Sequence, residues 1–357
     1  MRIRLGILDM DALYKTRLIN YFNAYYADKL EIFSFSDVGT MQQYLSGKRL
    51  DVILADEHSV PDPRVVDKGI AFAYWSEAAN VDSIRNIKAV CKYQKAELIY
   101  KEILSLFAEV ESNVTSYRMG DGSRSTVVTF LGAGGGVGAT TAAAGCAMYL
   151  ANNGKRTLFL DLTELGCTAS YFHSEGSFTL SEALYAIKSN HSNLFLKLES
   201  MVKRDVDNGV SFYDSARVAL DMRDATADNL KTLLNCLAES KSFDFIVVDA
   251  DTQMSAKQNV ILEASAAVVL VSDGGPTANA KMVRLAEAYR LDPSTGKAGR
   301  KLHVMYNRCH TGAQKVRIED VVELGDVNVF KNADAARIAA EIANRGVFRR
   351  FIAKPEG

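Results

Sequence analysis

The sequence predicts an α/β protein built as two doubly wound parallel-sheet domains in tandem. Three observations point there. Short apolar runs of strand length alternate with helical stretches along most of the chain, the pattern of a sheet covered on both faces. The alternation stops once, between Glu111 and Ser125, where the chain turns polar and Gly/Ser-rich. It restarts with a β-branched run, a cluster of glycines and an alanine-rich helical stretch.

In the first half, Ile3–Leu8 reads as a strand ending in Asp9-Met10-Asp11, and helical spacing follows over about 12–28. Leu30–Phe35 is a second strand, followed by a helix near Val38–Leu45. Val52–Ala55 is a buried-strand run ending at Asp56, 70–75 a fourth strand and Ile87–Cys91 a fifth. Residues 97–110 close this half with helical spacing. The second half opens with a strand over 126–131 and a helix over about 140–152, with further strands at 157–160, 245–248, 267–271 and 302–306. The expected organisation is a first domain over 1–113, a linker over 114–124 and a second domain over 125–357.

Composition narrows the class. A length of 357 residues allows two or three domains with real cores. Forty-two basic residues against 43 acidic ones give a formal net charge of −1, so no nucleic-acid partner is expected from the overall charge. The five cysteines (Cys91, Cys146, Cys167, Cys236, Cys309) form no CxxC pair, the pattern of reduced thiols in a cytoplasmic protein. The five histidines form no HExxH or HxxxH pair. The amino terminus soon meets Asp9 and Asp11, which does not fit a signal peptide. No apolar run reaches the roughly 18 residues of a membrane span.

The segment Leu131-Gly132-Ala133-Gly134-Gly135-Gly136-Val137-Gly138-Ala139-Thr140-Thr141 lies between a strand and a helix. Glycines there let the backbone turn tightly and aim its N–H groups at an oxyanion. The helix amino terminus adds unpaired donors and the positive end of its dipole. Thr140 or Thr141 can offer a hydroxyl to magnesium. A tight turn with no ligand stays open as the plainer reading.

This loop resembles the deviant Walker A motif of the MinD/ParA family, Lys-Gly-Gly-x-Gly-Lys-Thr-Thr. Here the motif reads Gly134-Gly135-Gly136-Val137-Gly138-Ala139-Thr140-Thr141, so both lysines are missing. Gly134 stands where the family's signature lysine reaches the partner's nucleotide, and Ala139 where the second lysine holds the β- and γ-phosphates. The resemblance extends to Leu158-Phe159-Leu160-Asp161-Leu162-Thr163, with Thr163 in place of the family's second aspartate, and to the Walker B-like run Phe243–Asp249. Asp251 stands where a proline is usual. Val304-Met305-Tyr306-Asn307-Arg308 is similar to the strand end whose asparagine reads adenine. The resemblance implies ATP and Mg2+ as cofactors. It places nucleotide on Gly134, Gly135, Gly136, Val137, Gly138, Ala139, Thr140, Thr141, Asn307 and Arg308, and magnesium by Thr140, Asp161 and Asp249. As plainer readings, the two aspartates cap helices, Asn307 belongs to a turn and Arg308 is a solvated charge.

Asp9, Asp11, Asp56, Ser76 and Lys92 fall near the ends of successive strands of the first half. This is similar to a response-regulator receiver domain and puts Asp56 at the phosphoacceptor position. The departures are Asp9-Met10 in place of an adjacent acidic pair and Tyr93 in place of proline. Receiver-like first, P-loop MinD/ParA-like second, the whole resembles the TadZ/CpaE proteins of Tad/Flp pilus assembly. That implies a cytoplasmic homodimer, at the cell pole or peripheral to the inner membrane, that recruits pilus-assembly machinery proteins. Near the end of the chain, Ile338, Ile342, Val347, Phe348, Phe351 and Ile352 alternate with Arg337, Arg345, Arg349, Arg350 and Lys354, a pattern that fits a peripheral membrane contact as well as internal packing.

One charge-assisted hydrogen bond contributes roughly 1.5–3 kcal/mol. Loss of the second lysine should therefore weaken ATP binding on the order of 10–100-fold. A cation acting on the transition state is worth about 10³–10⁵ in rate. The expectation is an ATP-binding scaffold with weak or absent hydrolysis, a pseudo-ATPase. An active MinD/ParA-type positioning ATPase and a phosphorylation-dependent response regulator are the alternatives.

Overall fold

The computed structural model describes residues 2–27, 29–60, 66–67, 69–110, 124–189, 193–240, 242–292, 301–331 and 333–352. The expected linker at 114–124 lies outside these except for Arg124, and Lys354 lies outside them too. The chain divides into two units, Met1–Met119 with Asn190–Ser200, and Gly120–Ser189 with Met201–Gly357.

The first unit runs β1 (Ile3–Leu8), α1 (Ala12–Tyr25), β2 (Leu30–Phe35), α2 (Val38–Leu45), β3 (Val52–Ala55), β4 (Ala71–Ser76), β5 (Ser83–Ile84), β6 (Ile87–Cys91) and α3 (Ala96–Val110). Its sheet has the order β2-β1-β3-β4-β6-β5. The five longer strands pair in parallel, as the buried runs predict, and β5 pairs antiparallel with β6. That hairpin is invisible in the sequence because its two-residue turn, Arg85-Asn86, holds positive φ angles of 52° and 62° without a glycine.

The second unit begins with β7 (Thr126–Gly132), α4 (Ala139–Asn152), β8 (Thr157–Asp161) and α5 (Leu180–Lys188). After α6 (Leu194–Met201) come β9 (Lys203–Arg204), β10 (Ser211–Phe212), α7 (Ala219–Arg223), α8 (Ala227–Glu239) and β11 (Phe245–Ala250). The remainder is α9 (Ala256–Ala264), β12 (Ala267–Ser272), α10 (Pro276–Leu291), β13 (Leu302–Cys309), β14 (Val322–Asn328) and α11 (Ala335–Asn344). Most of α6 clusters with the first unit, although its position in the sequence reads as part of the second domain. There Leu196 is buried in the core beside Phe107, and Lys197 Nζ donates to Ser105 Oγ at 2.8 Å.

The second sheet has the order β14-β13-β12-β7-β11-β8-β10-β9, parallel throughout except between β10 and β9. Strand β7 is central, flanked by β12 on one side and β11 on the other. The chain from β7 winds towards β8, and the chain from β11 crosses back to β12. The carboxyl end of β7 is therefore a topological switch point, where open α/β sheets leave a crevice.

The last helix is an internal packing element. The helices α4 and α11 come so close that a Cβ added at Gly145 would lie 2.8 Å from the carbonyl oxygen of Ala339. Ile342 and Phe348 are fully buried, and Ile338, Val347, Phe351 and Ile352 pack partly buried on the same core. Of the apolar residues considered for membrane contact, Ile342 and Phe348 are thus spent inside the domain, and the other four pack partly buried against the same core.

Candidate functional site

Strand β7 ends in the glycine loop, and α4 starts at the loop's far side. Gly136 and Gly138 hold φ of +74° and +82°, which ordinary side chains avoid. Gly138 is the residue preceding the helix and carries no side-chain cap, so the first turn of α4 keeps unpaired N–H donors. The loop is pinned from three sides. Ala133 N donates to Val271 O at 2.8 Å, Thr252 Oγ1 to Gly132 O at 2.7 Å, and Asn307 Nδ2 to the carbonyls of Val137 and Gly138 at 3.2 and 3.1 Å.

Above the loop lies a cavity of about 740 Å³, within the range of small-molecule sites. The loop residues from Gly132 to Thr141 line it, together with Asp249 and Arg308. Asp249 and Asp161 are register partners on adjacent strands. Asp249 is almost wholly buried, and its Oδ2 has no hydrogen-bond partner, while the Thr140 hydroxyl bonds the same carboxyl group. Burial first, and then the charge of Asp161, push the Asp249 carboxyl up to about 8. A lone buried carboxylate oxygen on a residue that lines a cavity, with a threonine hydroxyl bonded to the same carboxyl group, suits a hard cation such as magnesium.

Asp161 does not share that openness. Its Oδ1 accepts from Thr163 N at 3.1 Å and Thr163 Oγ1 at 2.6 Å. Its Oδ2 accepts from Cys167 N at 2.8 Å and from the hydroxyls of Thr168 and Ser215 at 3.3 Å each. Asp161 thus organises the segment after β8 and does not present a free ligand atom. No group of three or more His, Cys, Asp or Glu side chains poised for a metal occurs among the described residues. Of the three residues expected beside magnesium, Thr140 and Asp249 line the cavity and Asp161 does not.

Asn307 is brought to the loop, yet its amide donor is committed to loop carbonyls, and Asn307 is absent from the cavity wall. Its neighbour Arg308 takes a left-handed φ of 58° and lays its guanidinium across the loop, donating to Gly136 O at 2.5 Å. Sequence reading missed Lys281 and Arg284 of α10, which line the same cavity. It also missed Tyr171, whose hydroxyl lies 2.9 Å from Thr141 Oγ1. The available signal for α10 was Pro276 opening a helix right after a buried strand, with Ala278, Lys281 and Arg284 at one-turn spacing.

In the first unit, Lys92 and Asp9 pair with each other, whereas Asp11, Asp56 and Ser76 bond to nearby backbone. Lys92 Nζ sits 2.9 and 2.8 Å from the two carboxylate oxygens of Asp9. The Asp11 side chain caps α1 through Leu13 N and Tyr14 N. Asp56 accepts from His58 N at 2.8 Å, and Ser76 Oγ donates to Ala78 O at 2.8 Å. Asp56 therefore stands at the end of β3 without the lysine that a receiver site would turn towards it.

The comparisons agree with this fold. Residues 1–108 match the family model described as "TadZ-like, receiver domain", and residues 125–291 match that of an AAA domain. The ParA family ATPase of Chlorobium tepidum TLS superposes with a TM-score of 0.50 at 16% identity, covering 62% of this chain and 92% of that one. The cell division ATPase MinD of Pyrococcus furiosus gives 0.48 at 16% identity, with 63% and 99% covered. The septum site-determining protein MinD of Pyrococcus horikoshii OT3, complexed with Mg-ADP, gives 0.49 at 15% identity, with 62% and 95% covered. No curated protein sequence matches the chain.

The class is thus a receiver-like domain joined to a P-loop domain of the MinD/ParA fold. More specifically, this chain carries a TadZ-like receiver domain ahead of an AAA domain. Among the described residues no helix is long and apolar enough to cross a membrane.

Proposed function

We propose that the protein is an adenine-nucleotide-binding scaffold that positions Tad/Flp-type pilus-assembly proteins, acts as a homodimer at a cytoplasmic or polar site, and hydrolyses ATP very slowly or not at all. The observation that carries the reading is a cavity floored by a glycine loop and lined by Asp249, whose buried Oδ2 has no hydrogen-bond partner. Backbone N–H groups of the loop and of the first turn of α4 would hold the phosphates. Asp249 and Thr140 would hold magnesium, which supplies charge neutralisation between phosphate oxygens.

Turnover needs more than this. Neither Gly134 nor Ala139 offers a cation to the transferred phosphoryl group. Thr163 has no carboxylate to orient water, and its hydroxyl already donates to Asp161. The TadZ-like receiver match supports the pilus-assembly context. Steady-state phosphate release from the purified chain tests the reading. A rate near background with retained MgATP binding is expected, and turnover like that of an ordinary positioning ATPase would contradict it.

A further inference from the structure

We infer that Lys281, Arg284 and Arg308 form a clamp for the polyphosphate chain of the nucleotide, gripping it from the cavity wall in place of the two lysines absent from the loop. This rests on the nucleotide-binding reading above and deepens it. The first line of argument is the face that α10 presents. A Cβ added at Gly134 would meet Ala278 Cβ at 3.7 Å, so the first turns of α10 lie directly against the start of the loop. One turn further on, Lys281 lines the cavity, and another turn brings in Arg284 and Leu285. Both cationic side chains are exposed, and neither forms an ion pair or hydrogen bond with another described residue.

The second line is Arg308. A non-glycine residue at a left-handed φ of 58° carries backbone strain, and such strain persists where the surroundings enforce it. Here the strained residue lays its guanidinium over Gly136 and its aliphatic stem over Gly138, with Cδ 3.4 Å from where a Gly138 Cβ would stand. The bond to Gly136 O uses one of its five N–H donors and leaves others for an oxyanion. The cavity is also lined by Asp251, whose carboxylate repels a bare phosphate chain. Three cations at the wall offset that repulsion.

The test is displacement of a fluorescent ATP analogue, with magnesium, from the full chain by ATP, AMP and tripolyphosphate. The wild type should be displaced by ATP and by tripolyphosphate, the latter because the clamp reads phosphate and not base. The double variant Lys281→Gln/Arg284→Gln should weaken ATP and tripolyphosphate roughly 10–100-fold and AMP less than about threefold. Arg308→Gln should weaken ATP on the order of tenfold, with Arg308→Lys between it and the wild type. If Arg308→Gln loosens the loop and lowers the melting temperature, the α10 pair decides alone, because both residues are exposed. ATP affinities within twofold of wild type in the double variant overturn the clamp and leave nucleotide binding standing. A wild-type chain that takes up no analogue overturns the nucleotide-binding reading itself.

Discussion

Asn307 Nδ2 lies 3.1 Å from the carbonyl oxygen of Gly138, and a methyl group added at Gly138 would stand 2.5 Å from that same nitrogen. The end of β13 thus sets the shape of the glycine loop. Gly138→Ala meets both this clash and a φ of +82°. It should destabilise the protein by about 1–3 kcal/mol and remove nucleotide binding. Asn307→Ala leaves two loop carbonyls without their donor and should cost about 1–2 kcal/mol. Denaturant unfolding of the two variants beside wild type checks both values, and unchanged midpoints would refute the role given to Asn307.

The two register-paired aspartates should respond oppositely. Asp161→Ala strands the donors of Thr163, Cys167, Thr168 and Ser215 and should lower stability by about 2–4 kcal/mol even without magnesium. Asp249 is the reverse case. Its folded-state pKa is raised to about 8 from an ordinary 3.8, so the unfolded chain releases this proton first. The group's stabilising contribution is full below about pH 4 and is lost as pH climbs towards 8. Asp249→Asn should flatten the fall in melting temperature over that window and raise the melting temperature of the magnesium-free protein at pH 8. A variant less stable than wild type at pH 8 without magnesium would contradict this.

Cys167 gives an independent probe of the same field. Its side chain lines the cavity, and burial, then the charges of Asp161 and Asp249, push the thiol up to about 11. At pH 8 its alkylation by iodoacetamide should run roughly a hundredfold slower than that of an ordinary thiol, and climb about tenfold per pH unit until pH nears 11. Peptide mass spectrometry after timed quenching measures this. Rapid modification at pH 7 would show that the cavity is less negative than its carboxyl groups imply.

In the receiver-like unit, Lys92 and Asp9 form a buried pair whose side chains are 8% and 1% exposed. Lys92→Ala leaves Asp9 buried and alone, and should cost about 3–5 kcal/mol. Asp56→Asn removes only one turn-forming bond and should change stability by less than about 1 kcal/mol. Thermal unfolding of the two variants separates them. A larger loss from Asp56→Asn would place the stabilising charge contact at the other carboxylate.

The strands and helices were legible where periodicity is strong. The runs at β1, β3, β11 and β12 are almost wholly buried, and each reads as a mainly apolar stretch, broken in β1 by Arg4 and ending at Asp249 in β11 and Ser272 in β12. The hairpin at Arg85-Asn86 was not legible, because its turn lacks the glycine that announces such geometry. The glycine loop could be found from Gly134 to Gly138, since its conformation demands that composition. What Asp161 does could not be found. Four of its five hydrogen-bond donors come from Thr163, Cys167 and Thr168 and the fifth from Ser215, and only the folded loop turns them onto the carboxylate, so a strand-end aspartate looked the same whether it faced a metal or a loop. Lys281 and Arg284 were hidden for the same reason, as the sheet order alone brings α10 to the switch point.

The most direct test is a calorimetric titration of MgATP into the wild-type chain beside Ala139→Lys. The lysine is placed where Ala139 is only half-buried, at the first residue of α4. The expected result is saturable binding of one nucleotide per chain in the wild type, tightened on the order of 10–100-fold by the added lysine. A wild-type protein that binds no adenine nucleotide, with Asp249 as indifferent to magnesium as an asparagine in its place, would contradict the account.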